Sequence, residues 1–367
     1  MFFDKLNISE SKMLKPQTSK KISINKNLTI SNSSKCLIVA EISANHGGSL
    51  KILKKTILKA KEIGADAVKI QTYEASTMTL NCKNRNFFID DNSIWKGKYL
   101  FDLYKKAETP FKWHKEIFDF AKKNKVLLFS APFDLTAVKL LQDLKCPLYK
   151  IASPEIQDLE LIKKVSSTGK PIIISTGIAN EKDISNALKI CHKNKNSKII
   201  LLNCISSYPS RNNELNLNYI NKLKKYSNLV GYSDHSMSDL PSIISVSLGA
   251  KVIEKHFVLN NKIKSPDVKF SYNPKEFKNL IMNIRIAEQM FGGENINKKY
   301  ILRKKLKTIT RSLFYIKDIK KGDKITKKHI RSIRPGTGLP LEHYEKVIGK
   351  KIKKDRFRGQ PVQKKDF

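Results

Sequence analysis

Two histidines pose the first question. The apolar run Leu229–Asp234 passes through Ser233-Asp234 into His235, and the run Lys251–Phe257 carries Glu254-Lys255-His256. Histidines at equivalent ends of successive strand-like segments can cap those strands or pack in a core. Side by side, they can instead hold one divalent cation and leave positions open for substrate oxygens or water. Lys69 and Lys150, with several hydroxyls, suit an anion that carries both phosphate and carboxylate. Glu41 is a carboxylate placed to act on protons or on water. The lysines have two other readings: ion pairs inside a site, or a Schiff base of the kind barrel aldolases use. The histidine pair argues against the imine, because a metal that polarises a carbonyl makes it unnecessary.

These residues need a frame that brings them together. Apolar strand-like runs occupy Cys36–Ser43, Ala67–Thr72, Leu127–Pro132, Leu148–Ser153, Pro171–Thr176, Ile199–Cys204, Leu229–Asp234 and Lys251–Phe257. Each leads through a polar loop into an amphipathic stretch such as "SLKILKKTILKAKEIGA", which is the pattern of an α/β (β/α)8 TIM barrel. Near-continuous apolar strands fit a parallel sheet covered on both faces. In that architecture the site lies at the C-terminal strand ends. The polar residues there are Glu41, Asn45 and His46; Lys69 and Gln71; Ser130; Lys150 and Ser153, with Glu155 just beyond; Ser175; Ser206 and Tyr208; Ser233, Asp234 and His235; Glu254 and His256. The stretch from Tyr73 to Pro110 is too long for a simple loop and predicts a lid or side wall.

The expected domains are a polar lead and hairpin ("KISINKNLTIS") over 1–34, the barrel over 35–291, a polar linker over 292–307, and a small β-rich domain over 308–367. That last piece is short for an independent core and is expected to lean on a partner surface.

A net charge of +38 raises the possibility of nucleic-acid binding, but the lysines are spread along the chain without a basic arm or interleaved aromatics. We expect neither nucleic-acid nor membrane partners; a basic surface still attracts an anionic substrate. No apolar stretch is long enough to span a bilayer, and the first residues lack the apolar core of a secretory signal. Five cysteines without CxxC spacing read as free thiols in a reducing cytoplasm.

The motifs "IVAEISANHGGSL", "VKIQTY", "SAPFD", "YKIASPEI", "KPIIISTGIA", "SSYPS", "GYSDHS" and "VIEKHF" followed by "SPDVKFS" resemble, in order, the sialic acid synthase family. The C-terminal "TRSLFYIKDIKKGDKIT" and "IRPGTGLP" resemble that family's antifreeze-protein-like (SAF) domain, and the stretch Trp95–His114 is most similar to its pseudaminic branch. The resemblance implies condensation of phosphoenolpyruvate with 2,4-diacetamido-2,4,6-trideoxy-L-altrose to give a nonulosonic acid and phosphate. Neuraminic or legionaminic precursors are the enzyme alternative; a glycan- or nucleic-acid-binding protein is the non-enzyme one.

It further implies that His235 and His256 bind Mn²⁺ or Mg²⁺, and that Lys69, Lys150, Ser153, Ser175 and Ser233 hold phosphoenolpyruvate, with Ser206 adding a polar contact. It makes Glu41 the carboxylate that handles protons and water, and Asp267 a contact to the sugar. Arg334 would come from the SAF domain of the partner in a domain-swapped homodimer. Two positions depart from the family pattern. Ala131 replaces a common hydroxyl residue, so a phosphate contact is either absent or supplied by Ser130. Asn203 stands where Lys or His is frequent.

Overall fold

The computed structural model describes residues 17–91, 93–291 and 297–367. It divides into two compact units, residues 1–291 and 292–367.

The first unit begins with an antiparallel hairpin, β1 (Lys21–Asn25) and β2 (Leu28–Ser31). Eight parallel strands follow: β3 (Leu37–Glu41), β4 (Ala67–Thr72), β5 (Leu128–Pro132), β6 (Tyr149–Ile151), β7 (Ile172–Ser175), β8 (Ile199–Cys204), β9 (Val230–Asp234) and β10 (Val252–His256). They close into a barrel in sequence order, β10 pairing with β3. A helix after each strand covers the outside, from Leu50–Glu62 after β3 to Pro274–Phe291 after β10. Local chemistry starts several of them: Ser49, Asp134 and Asp158 accept backbone N–H groups as caps, and Asn180 and Asp183 form a capping box. The helices bury apolar stripes such as Leu53, Ile57 and Ala60 against strands that, apart from half-buried Gln71, are buried along their whole length.

The hairpin is not separate from the barrel. Ile22 and Ile30 belong to its hydrophobic core, and the Ser19 N–H donates to Ser197 O just ahead of β8. Thr18 Oγ1 pairs with Ser227 and accepts the Asn228 N–H just ahead of β9. These contacts lie where strands begin, so the hairpin closes the N-terminal end of the barrel. The lead before residue 17 lies outside the described residues.

At Gly231 the backbone packs so closely that a Cβ would stand 2.4 Å from Val252 O and 2.5 Å from Leu202 Cδ2. Among the described residues no helix is long and apolar enough to cross a membrane.

In the second unit, β11 (Ser312–Tyr315) and β12 (Ile330–Ile333) pair antiparallel. A small core of Leu313, Tyr315, Ile319, Ile325, Ile330, Val347, Ile352 and Val362 forms around them. Buried Asp366 accepts from Tyr315 Oη at 3.2 Å and pairs with Arg356. Of the stretch read as a polar linker, 292–296 lies outside the described residues. The part Asn297–Lys305 is an α-helix, its Lys, Leu and Arg being good helix formers.

Candidate active site

Strand alternation decides which side chains enter the barrel. On β4, Lys69 and Gln71 point inward; on β3, Glu41 does; on β10, Glu254 and His256 do, in register with β3 through the His256–Glu41 pair. Glu254 is the hub. Its Oε1 accepts from Lys69 Nζ at 2.8 Å, Lys150 Nζ at 3.1 Å and Ser233 Oγ at 3.0 Å. Glu41 lies 3.4 Å from Lys69 Nζ and accepts from Gln71 Nε2 at 3.2 Å.

Burial works against every charge here, and the balance differs by residue. At Glu254 burial is outweighed by Lys150 and Lys69, which hold the carboxyl well below the usual carboxylate range. Glu254 and Glu41 overcome burial at Lys69 and raise it, whereas burial prevails at Lys150 and lowers it. Burial likewise prevails at Glu41, pushing it up to about 7.

Along one side, Ser153 Oγ accepts the Ile178 N–H at 3.0 Å and a hydrogen bond from Ser206 Oγ at 3.3 Å. Gly177 allows this approach, since a Cβ there would lie 2.7 Å from Cys204 Sγ and 2.9 Å from Ser153 Oγ. Glu254 Oε2, Ser175 Oγ and His256 Nδ1 are buried without a hydrogen-bond partner. Such orphaned groups are costly unless a ligand satisfies them.

The two histidine rings lie side by side, tilted by 58° with centroids 5.6 Å apart. His235 Nδ1 lies 2.8 Å from Ile205 O, so that nitrogen donates and Nε2 keeps its lone pair. Burial lowers His235 to about 4 and His256 well below the usual histidine range, so both are neutral at pH 7. Neutral, paired, free ring nitrogens fit a borderline divalent ion, although among the described residues no cluster of three or more His, Cys, Asp or Glu side chains assembles to cage one. Asp267 Oδ2 stands 4.0 Å from His256 Nδ1 and accepts the Ala44 N–H at 3.3 Å; burial raises this carboxyl.

A cavity of about 870 Å³ opens beside these groups, lined by Gln71, Ser206, Tyr208, His256 and Asp267. Residues of the stretch after β4 form another of its walls, as a side wall requires. Tyr208 stacks on His235 at 4.4 Å and carries Trp95 at 5.5 Å.

One expected site residue points out of the barrel. Ser130 faces the helical layer: its hydroxyl donates to Ile70 O at 3.0 Å and pairs with Thr72 Oγ1 at 2.6 Å, and Thr72 in turn meets His114. Ala131 takes the inward position beside Gln71, so Ser130 does not supply the missing hydroxyl. Arg334 belongs to the second unit, exposed just past β12. Asn203 also faces outward, donating to Asn216 O. Asn45 is buried on Phe257 O and Ser271 and serves the loop's structure.

Glu254 and Glu155 stand in the sequence as strand-end polar residues that no motif gives a role. Glu155 is half-buried, is pushed up to about 7 by burial, and has Oε2 unpartnered. The available signal for Glu254 was its place two residues ahead of His256, on the same inward face.

A NeuB family model matches residues 56–296, and a SAF domain model matches residues 310–367. A pseudaminic acid synthase of Helicobacter pylori is 42% identical over 333 residues, covering 90% of this chain and 97% of that protein. An N,N'-diacetyllegionaminic acid synthase of Campylobacter jejuni is 37% identical over 319 residues, covering 86% and 95%. The crystal structure of an N-acetylneuraminic acid synthetase from Leptospira borgpetersenii aligns with TM-score 0.69 at 29% identity, covering 79% of this chain and 98% of that one.

Proposed function

This chain belongs to the NeuB family, and from that premise we infer that it condenses phosphoenolpyruvate with 2,4-diacetamido-2,4,6-trideoxy-L-altrose, the reaction of a pseudaminic acid synthase. The observation that carries the chemistry is the convergence of Lys69, Lys150 and Ser233 on Glu254 beside His256. The sugar assignment is supported by the higher identity to a pseudaminic acid synthase than to a legionaminic one.

The reaction joins C3 of phosphoenolpyruvate to the aldehyde carbon of the open-chain sugar; water adds at C2, and phosphate leaves with cleavage of the C–O bond. Lys69 and Lys150 offset the phosphate and carboxylate charge in a site shielded from water, where such contacts are strong. Ser153, Ser175, Ser206 and Ser233 offer hydroxyls to the same anion. Glu41, poised near 7, takes or returns a proton at the reacting carbons or from the attacking water. Gln71 Nε2, donating to Glu41 Oε1, orients that carboxylate, while Asp267 and Tyr208 hold the sugar's polar groups. His235 and His256 would hold Mn²⁺ or Mg²⁺ through their free ring nitrogens. Such an ion, when bound, supplies Lewis-acid polarisation of the sugar carbonyl.

The active form is proposed to be a homodimer in which each chain's SAF domain brings its Arg334 to the partner's barrel. A second copy is supported by exposed apolar residues at helical spacing on Pro274–Phe291: Met282, Ile286 and Met290. The five free thiols support the cytoplasmic reading.

The test is incubation of the purified protein with phosphoenolpyruvate, Mn²⁺ and each candidate sugar, measuring phosphate release. Turnover is expected with the diacetamido-trideoxy-altrose. Turnover only with N-acetylmannosamine or the legionaminic precursor would move the chain to another branch. Exhaustive chelation should stop the reaction and added Mn²⁺ restore it; full activity after chelation would remove the metal from the scheme.

A further inference from the structure

The wall that the lid segment gives to the cavity is mostly apolar. Ile89, Ile94, Trp95, Leu100 and Leu103 line it, and phosphoenolpyruvate, all anion and enol, has no use for them. Most of the polar lining comes from the strand ends and the loops that follow them, while the lid adds Asp91, Ser93 and the tyrosines Tyr73 and Tyr104. Lid residues Asp91 and Ser93 turn onto each other, with the Ser93 N–H donating to Asp91 Oδ1 at 2.8 Å. Trp95 is fixed in place: its indole N–H donates to Pro266 O at 3.2 Å, and its ring lies 5.5 Å from Tyr208 and 6.1 Å from Phe270. Its hydrogen-bonding capacity is therefore spent, and it presents ring to the cavity.

An apolar wall facing a polar floor sorts a ligand by its two ends. On the reading above, the sugar's hydroxyl-bearing, reacting end belongs to the floor. Its other end differs from an ordinary hexosamine by an acetamido group at C4 and a methyl at C6, and only the methyl lacks any hydrogen-bonding group. A hydroxyl buried against Ile94 and Leu100 would lose water without gaining a partner from those side chains.

We propose that this lid wall, with Ile94, Trp95 and Leu100 as its contact residues, selects sugars whose C6 is deoxygenated. Selection by a purely apolar surface is bounded, at roughly 10- to 200-fold. The inference rests on the proposed diacetamido-sugar activity.

The probe is a pair of sugars of one configuration, 2,4-diacetamido-2,4,6-trideoxy-L-altrose and its 6-hydroxy counterpart, assayed at saturating phosphoenolpyruvate. The wild type should favour the 6-deoxy sugar in kcat/KM by about 10-fold or more. Ile94→Ser and Leu100→Ser, both at partly exposed positions, should compress that ratio several-fold while leaving KM for phosphoenolpyruvate unchanged. Ile94→Leu should retain the ratio.

A wild type that uses both sugars equally overturns the inference while leaving the proposed activity intact. So do serine variants in which both sugars decline together. A wild type that turns over neither diacetamido sugar overturns the activity and takes the inference with it. Should the serine variants fail to fold, Ile94→Thr and Leu100→Thr make the same comparison, and an unchanged ratio in folded variants overturns the inference.

Discussion

At the scale of single residues, the site is an arrangement of buried charges that nearly cancel. Lys150 has Glu254 as its one charged hydrogen-bond partner, at 3.1 Å. Lys150→Met should raise KM for phosphoenolpyruvate by roughly 10- to 100-fold, the size of a lost charge-assisted hydrogen bond, and leave KM for the sugar little changed. Steady-state kinetics in each substrate separates the two. Borohydride with substrate should trap no adduct on Lys69 or Lys150. Glu41 has a pH signature. Burial lifts it to about 7, so its ionised form accumulates only above neutrality, and kcat/KM should carry a limb there that Glu41→Gln abolishes. The stability sign is opposite. A raised carboxyl favours the fold below its unfolded pKa, and that contribution fades as pH rises through about 7. Glu41→Gln should therefore gain in melting temperature over the wild type more at pH 8 than at pH 5; a gain independent of pH would show that the carboxyl is not held protonated.

At the scale of elements, alternation is both what the sequence reveals and what it hides. β4 and β8 have the bounds their apolar runs predict, because polar loops delimit them sharply. Convergence of Glu41, Lys69, Lys150 and the histidines follows from barrel geometry alone. Ser130 was misread because a run such as "LLFSAPF" is apolar on both faces and so carries no parity; only its pairing with Ile70 reveals the outward face. Ser130→Ala should therefore leave phosphoenolpyruvate kinetics unchanged, whereas the lysine variant does not. The hub role of Glu254 was equally hidden, since nothing local says which lysines a strand carboxylate will meet.

Behind the histidines lies a second buried pair. Lys255 sits 2.9 Å from Asp234, donates to Ser236 O, and covers the Tyr272 ring. It ties together the strand ends that present His235 and His256. Lys255→Met strands the Asp234 charge and should cost about 3–5 kcal/mol of unfolding free energy, read by urea titration. A much smaller loss would mean that Asp234 finds another partner.

At the scale of the whole molecule, the proposed exchange of SAF domains has a direct assay. Co-refold a His235→Ala chain with an Arg334→Ala chain, each inactive alone. If Arg334 acts on the partner's barrel, a mixed dimer holds one doubly defective site and one intact site, so activity returns. Heterodimers that form and stay dead would refute the exchange.

The hairpin β1–β2 reaches further than its size suggests. It covers the barrel where the strands begin, beneath an interior already filled by packed side chains, so the strand-end pocket is a flask with one neck. Lys150 and Ser175, each 2% exposed at the strand ends, form the bottom of that pocket, and Trp95, on the wall of the cavity beside it, stands in the neck. A guest already in the neck blocks one bound for the bottom, so arrivals must queue: phosphoenolpyruvate first, sugar second. Excess sugar should then jam the enzyme, and raising phosphoenolpyruvate should clear the jam, because whichever molecule enters first decides whether the flask can be filled.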